Sequence, residues 1–289
     1  MSYNERALAV GKALRNSVIQ YPSFAKALEL ISNAIEIGNG TGVFTGVRVM
    51  APSGCGKTLL VECLKNNILN SDMLGHELSV ITADLKEAPS VSQIQGGLLD
   101  NFKYGLTSRR ASNNNEVHRV LVSAMTEHNV RLIVLDEFQH VFSPNGDKVS
   151  TQVIDWLKRL MNITQVPVVL VGTEQMDRLG AVDPQLTTRI PTTIKLLPFQ
   201  HNAEWVGFLR AFARECSAVD ISIIYEPQLA LQLFRVTNGV VRPLKTLIVQ
   251  AVAMAVNDDE EKLTRQGLYA AYRMIYGPEV SMENPFDVF

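Results

Sequence analysis

Lys57 and Thr58 close the stretch Ala51-Pro-Ser-Gly-Cys-Gly-Lys-Thr58, and the chain continues Leu59-Leu60-Val61-Glu62. A lysine and a hydroxyl directly behind a glycine are the groups that hold a chain of phosphates. Successive backbone N–H groups wrap the phosphates, and glycines admit the backbone angles this wrapping needs. A side chain at Gly56 would obstruct the approach. In such a loop Lys57 meets the β- and γ-phosphates of a nucleotide, and the Thr58 hydroxyl takes Mg2+. A helix opening near Lys57 adds its positive N-terminal end. Ser53, Gly54, Cys55 and Leu59 complete the binding segment. The first position, where the pattern has Gly, holds Ala51, and a methyl group is tolerable where the loop leaves its strand. A chance match to this pattern in a chain of this length is expected roughly one time in fifty.

A second group lies about 80 residues downstream. Leu132-Ile-Val-Leu-Asp136-Glu137 is an apolar run ending in two acids. Alone, such a pair is as often a helix N-terminal charge or a solvated turn. Together with the loop it forms the other half of an ATP site. Asp136 engages Mg2+ through its water shell, and Glu137 is the base that orients the attacking water. Adjacent Asp-Glu favours hydrolysis over binding alone.

These groups need a scaffold that brings two distant loops together. Val43 to Met50 reads as a strand running into the loop, and Lys57 to Leu69 as the helix that follows. Further strands are expected at 78–84, 131–136, 166–172 and, more weakly, 193–197, with helical segments near 90–104, 114–129 and 149–163. Strands alternating with helices predict an α/β fold with a parallel sheet flanked by helices. Upstream, residues 5–20 form a short helix. A second helix starts at Tyr21-Pro22-Ser23 with Ser23 as N-cap, and Gly38-Asn-Gly-Thr-Gly42 stops it. After Pro198 the pattern turns helical throughout, at 202–217, 226–237, 241–257 and 264–275. The expected organisation is an N-terminal helical segment (1–40), an α/β core (41–198), a small all-helical domain (199–276) and an extended tail (277–289).

Composition narrows the classes. The 289 residues are 46% hydrophobic and 19% charged, a globular balance. No run of about 18 apolar residues is present, so no membrane span is expected. The three cysteines and five histidines show no metal-ligand spacing, which favours a reduced, cytoplasmic protein. A net charge of −2 argues against gripping DNA by bulk charge alone. It leaves room for an assembly in which each subunit adds a few contacts.

The order of motifs resembles the AAA+ ATPases. Val171-Gly-Thr173 stands where that family has a polar sensor of the γ-phosphate. Gln185-Leu-Thr-Thr-Arg189 resembles the segment that gives an arginine finger to the neighbouring subunit, with Arg178 as the other candidate. Asn238-Gly-Val-Val-Arg242-Pro resembles the second sensor, an arginine opening a helix of the lid domain. Tyr21-Pro22, Asp136-Glu-Phe-Gln-His140, Leu170-Val-Gly-Thr173 and the compact lid narrow the resemblance to the TniB/TnsC-type transposition ATPases, relatives of the MuB protein. The resemblance implies ATP and Mg2+ as cofactors and assembly on duplex DNA as homo-oligomeric rings or helical filaments. It also implies recruitment of a DDE-type transposase, often through a TniQ-type adaptor, with hydrolysis driving disassembly. Family members grip the DNA backbone with the region between the second strand and the Asp-Glu strand. Here that region holds Lys86, Ser90, Ser92, Gln93, Lys103, Thr107, Arg109 and Arg110, with Lys86, Lys103 and Arg109 as leading candidates.

The tail, Asn284-Pro-Phe-Asp-Val-Phe289, either docks a partner or packs back on its own helical domain. Trp156 and Trp205 are expected in the core. Two other functions share the ATPase chemistry: a replication-initiator or helicase-loader type AAA+ protein, and an ATP-switched oligomerising scaffold that needs no DNA.

Overall fold

The computed structural model describes residues 2–71, 78–102, 114–142, 147–277 and 284–287. Five strands are described: β1 (Val47–Met50), β2 (Val80–Asp84), β3 (Leu132–Asp136), β4 (Val168–Gly172) and β5 (Thr192–Lys195). They form one parallel sheet in the order β2-β3-β4-β1-β5. The described helices are α1 (Glu5–Asn16), α2 (Pro22–Thr41), α3 (Lys57–Ser71), α4 (Val91–Leu99), α5 (Asn114–Glu127), α6 (Asp147–Thr164), α7 (Leu179–Val182), α8 (Pro184–Arg189), α9 (Ala203–Arg214), α10 (Pro227–Thr237), α11 (Val241–Asn257) and α12 (Arg265–Tyr276). No helix among the described residues is long and apolar enough to cross a membrane.

The chain divides into two compact units, Pro22–Leu196 and a second made of Met1–Tyr21 with Leu197–Phe289. In the first unit the central strands β3 and β4 bury all their apolar residues, as parallel strands covered on both faces must. Leu98, Leu121, Leu135, Leu157 and Leu170 are fully buried in one continuous core around the sheet. Each such side chain contributes about 1.5–3 kcal/mol of burial. At the β2 edge the Asn101 side chain stands in for a further strand: its Oδ1 accepts from Thr82 N at 3.2 Å and its Nδ2 donates to Thr82 O at 2.9 Å. That pairing satisfies the outward N–H and C=O of Thr82 on an edge strand.

Helix α2 departs from the sequence expectation. It begins at Pro22, a residue whose fixed φ suits a first helical position. It then runs through Gly38 to Thr41 rather than stopping at the first glycine. The Phe44 ring lies where a Gly38 Cβ would be, 2.7 Å away, so the missing side chain is a packing surface. The helix ends at Gly42, whose φ of 73° is the left-handed turn glycine allows. β1 correspondingly starts at Val47, and Val43 is exposed.

The segment 1–40, expected as one piece, is divided between the units. Helix α1 packs along α11 in the helical unit, with Ala7 and Leu14 buried. Asn4 Oδ1 accepts from Ala7 N at 2.7 Å to cap its start. Lys245 Nζ donates to the carbonyls of Arg15 and Ser17 at its end, 3.1 and 2.5 Å away. The pairing of chain ends decides this, and no local pattern records it. The tail folds back as well: Phe286 is fully buried edge-on against Tyr272, and Asn284 Nδ2 donates to Tyr269 O at 3.1 Å. The docking alternative for Phe286 is thereby excluded, and Phe289 lies outside the described residues. Trp156 and Trp205 are buried as expected.

Gly239 fixes the start of α11. Its φ is 71°, its carbonyl accepts from Phe199 N at 2.9 Å, and a Cβ there would lie 2.1 Å from Phe199 O. Gly239→Ala is therefore expected to lower the unfolding free energy by about 3 kcal/mol. Urea titration followed by Trp205 fluorescence in a Trp156→Phe background measures it. Gly207→Ala, with open space around it, is the control and should be neutral or slightly stabilising.

Candidate functional site

Parallel pairing of β4 with β1 carries the chain straight into the loop. Ala51 N donates to Gly172 O at 2.9 Å, extending the ladder one residue beyond β1. Ala51 is fully buried, its methyl group covered by protein. Gly54 and Gly56 turn the backbone with φ of 83° and 93°, angles that favour glycine. The Gly56 carbonyl accepts from Leu60 N at 2.9 Å, joining the loop to the first turn of α3. Ser53 and Thr58 are exposed on the loop. Cys55 points inward, and burial pushes its thiol up from the ordinary value against the opposing Lys57 charge.

Lys57 is mostly buried, and its Nζ lies 3.3 Å from Glu137 Oε1. The two halves of the site read from sequence thus meet directly. Glu137 has φ of 54°, strained for a residue with a Cβ, and this reverses the chain at the end of β3. Its N–H donates to Asp136 Oδ1 at 2.7 Å. The next residues form a 3-10 turn, Phe138–Phe142, and the Gln139 amide folds back on the site. Gln139 Nε2 donates to Glu137 Oε2, and Gln139 Oε1 accepts from Thr173 N at 3.1 Å. Thr173 Oγ1 is buried with no hydrogen-bond partner.

The two acids titrate in opposite directions. Burial raises Glu137, but the Gln139 hydrogen bond and the Lys57 charge outweigh it and hold the carboxyl below its ordinary value. Burial raises Asp136, opposed by the Glu137 N–H and reinforced by the charges of Glu137 and Asp84. Asp84 is the register partner of Asp136 across the β2–β3 ladder. Asp84, Asp136 and the Thr58 hydroxyl are hard oxygen donors of the type Mg2+ takes. Among the described residues no cluster of three or more His, Cys, Asp or Glu side chains forms a closed metal cage. An ion shared with nucleotide phosphates fits such a donor set. The unpartnered Thr173 hydroxyl likewise fits a site built for a further polar group.

The arginines stand at element ends. Arg189 closes α8, half-exposed, with Nε directed to Asn162 Oδ1 at 3.4 Å and a guanidinium nitrogen to Gln185 O at 3.3 Å. Arg178 is exposed at the end of the 3-10 turn Glu174–Arg178. Arg242 is exposed in the first turn of α11, in the helical unit. Lys86 is exposed just beyond β2. Lys103 and Arg109 lie outside the described residues. Ser90 and Gln93, named with the backbone-contact region, form the capping box of α4.

Sequence reasoning missed two anchors. Gln139 sits inside the quoted string Asp136-Glu-Phe-Gln-His140, but only the reversal at Glu137 turns it inward. The other is Asp183, which caps α8 through Leu186 N at 2.7 Å and pairs with Lys158 Nζ at 2.8 Å. It ties the Arg189 helix to α6.

A five-stranded parallel sheet in this strand order, with this loop after β1 and an Asp-Glu pair at the end of β3, has the AAA+ fold. The chain belongs to the TniB family: the model described as bacterial TniB protein matches residues 11–201. Solved structures similar in fold include the Aeropyrum pernix ORC2 protein in ADPNP-ADP complexes. It is 16% identical with a TM-score of 0.66, over 90% of this chain and 68% of that one. Cdc6p from Pyrobaculum aerophilum is 13% identical with a TM-score of 0.65, over 89% and 68%. A RuvB variant from Thermotoga maritima is 15% identical with a TM-score of 0.50, over 85% and 67%. A search of curated protein sequences finds no match.

Asp183 gives a test of the Arg189 platform. Burial raises its carboxyl, but the Lys158 hydrogen bond and the α8 N–H groups outweigh this and hold it below the usual range. Hydrogen bonds that Lys158 donates to Asp155 and Asp183 raise its ammonium above the ordinary value. The Asp183 contribution is present above the unfolded value near ~3.9 and lost as pH falls through the lower folded value. The Lys158 contribution is full below ~10.4 and lost as pH rises through the raised folded value. Asp183→Ala should cost about 2 kcal/mol at neutral pH. Thermal melts across pH should show the difference from wild type shrinking as acid protonates Asp183.

Proposed function

We propose that this TniB-family protein is an ATP-dependent, DNA-binding transposition regulator. It assembles on duplex DNA as a ring or helical filament, marks the target site, and recruits and activates a DDE-type transposase, directly or through a TniQ-type adaptor. Hydrolysis of ATP disassembles the polymer. The observation that carries this reading is the meeting of Lys57 with Glu137 beside Asp136 and Thr173, in a chain whose family is TniB.

In this reading Ser53 to Leu59 hold the nucleotide phosphates, and Thr58 and Asp136 hold Mg2+. Bound there, the ion would supply positive charge against the charge that develops on the phosphoryl oxygens. The Thr173 hydroxyl reads the terminal phosphate. Glu137, kept ionised at neutral pH, accepts a proton from the attacking water. Lys57 passes from Glu137 to the phosphates when nucleotide enters, which frees the carboxylate. Arg189, or Arg178 in its place, completes the site of the adjoining subunit, because a cation facing developing negative charge lowers the barrier. Arg242 is the second sensor on the helical unit, which serves as the lid. Lys86, with Lys103 and Arg109, touches the DNA backbone without reading sequence, so many weak copies along a filament make binding steeply salt-dependent. The replication-initiator alternative has the shared fold in its favour, at 13–16% identity.

Electron microscopy tests the central claim. With a non-hydrolysable ATP analogue, rings or filaments are expected only when duplex DNA is present; assembly indifferent to DNA sinks the proposal in favour of the scaffold alternative. Glu137→Gln should retain ATP binding, lower turnover by about 100-fold or more and keep the polymer assembled. Turnover at the wild-type rate would remove Glu137 from its role. Lys57→Ala should abolish both nucleotide binding and assembly.

A further inference from the structure

We infer that Gln139 is a positioning residue that couples the Thr173 segment to the catalytic carboxylate. This rests on the ATPase reading above and deepens it. Both carboxylate oxygens of Glu137 are engaged, Oε1 by Lys57 Nζ at 3.3 Å and Oε2 by Gln139 Nε2. A carboxylate held at both oxygens is parked. When phosphates draw Lys57 away, Oε1 is released and Oε2 stays fixed, so Gln139 sets the direction in which the free oxygen faces.

The other end of the same amide makes this more than a local brace. Gln139 Oε1 accepts from Thr173 N at 3.1 Å, so one planar group spans the end of β3 and the end of β4. The adjoining Thr173 hydroxyl is buried and unpartnered. Any ligand that engages this hydroxyl and shifts the Thr173 backbone moves the amide, and through it Glu137.

The surroundings are shaped for the amide. Gln139 is buried with 7% exposure, and a Cβ on Gly172 would lie 2.5 Å from its Oε1. A residue larger than glycine at the end of β4 would displace the amide from the Thr173 N–H. The left-handed backbone at Glu137 supplies the reversal that lets a side chain two residues later return to its carboxylate. A buried amide with donor and acceptor both satisfied is held in one orientation, because leaving either unpaired is costly.

The experiment uses the full chain, assembled on duplex DNA with ATP and Mg2+. Gln139→Leu removes both ends of the tether. Gln139→Glu keeps an acceptor toward Thr173 but loses the donor toward Glu137. Both variants are expected to lower kcat by about 10- to 100-fold, while the Kd for a fluorescent ATP analogue changes less than threefold. In a Glu137→Gln background, adding Gln139→Leu should lower the residual rate by less than twofold, since the residue acts through Glu137. A Gln139→Glu chain with wild-type kcat overturns the proposal, because a purely structural brace on Thr173 needs only the acceptor. Weakened nucleotide binding with unchanged kcat also overturns it, as does full additivity in the double variant. Should Gln139→Leu melt well below wild type, the decision passes to Gln139→Glu, whose size is conserved. A wild-type chain that binds no ATP overturns the ATPase reading and the tether together. Normal wild-type turnover with unaffected variants overturns the tether alone.

Discussion

Parallel pairing of β4 between β1 and β3 is the constraint on which the site depends. All three strands end at the same edge of the sheet, so the segments that follow them leave side by side. The ladder continues past β1 through the Ala51–Gly172 hydrogen bond, which fixes the height at which the phosphate-type loop begins. Glu137 follows the last residue of β3, and Thr173 follows the last residue of β4. Lys57 and Glu137, 80 positions apart in sequence, come within ion-pair distance at this edge. Ligand sites at the carboxyl ends of open parallel sheets follow from the same geometry.

That edge is electrostatically unbalanced. Asp84, Asp136 and Glu137 gather there, and Lys57 is a cation placed among them. Asp136 is pushed up by burial and by its neighbours, so its charged form is poorly compensated by the protein alone. Backbone strain is present at the same point, in the left-handed Glu137. Strain of this kind persists only where the surroundings over-determine it. Here the Asp136 carboxylate, Lys57 and Gln139 all hold the residue that follows β3. The result is a loop and an acidic edge that neutralise each other in part, and that a bound polyphosphate with its cation would separate.

The helical unit is built by a different logic. α1 is held at one end by its own Asn4 cap and at the other by Lys245, a residue from α11. Gly239 presses against the Phe199 backbone and thereby fixes where α11 starts, which puts Arg242 in its first turn. Arg189 is likewise delivered by an element end, with α8 capped by Asp183 and clamped to α6 through Lys158.

The sequence by itself determined the strands that build the sheet, the loop from Ala51 to Thr58, the Asp136–Glu137 pair and the helical character after Pro198. These are written in local pattern: apolar runs of strand length, glycines at fixed offsets, and periodic apolar residues between caps. Tertiary structure alone decided the rest. The reach of α2 through Gly38 depends on a ring from Phe44, and α1 joins the C-terminal helices through Lys245. Phe286 is inside because Tyr272 and Tyr269 are there to receive it. Gln139 is one letter of a family string in the sequence, and only the left-handed backbone at Glu137 turns it toward Thr173. Each of these turns on a side-chain contact or on a single backbone angle, and periodicity carries no record of either.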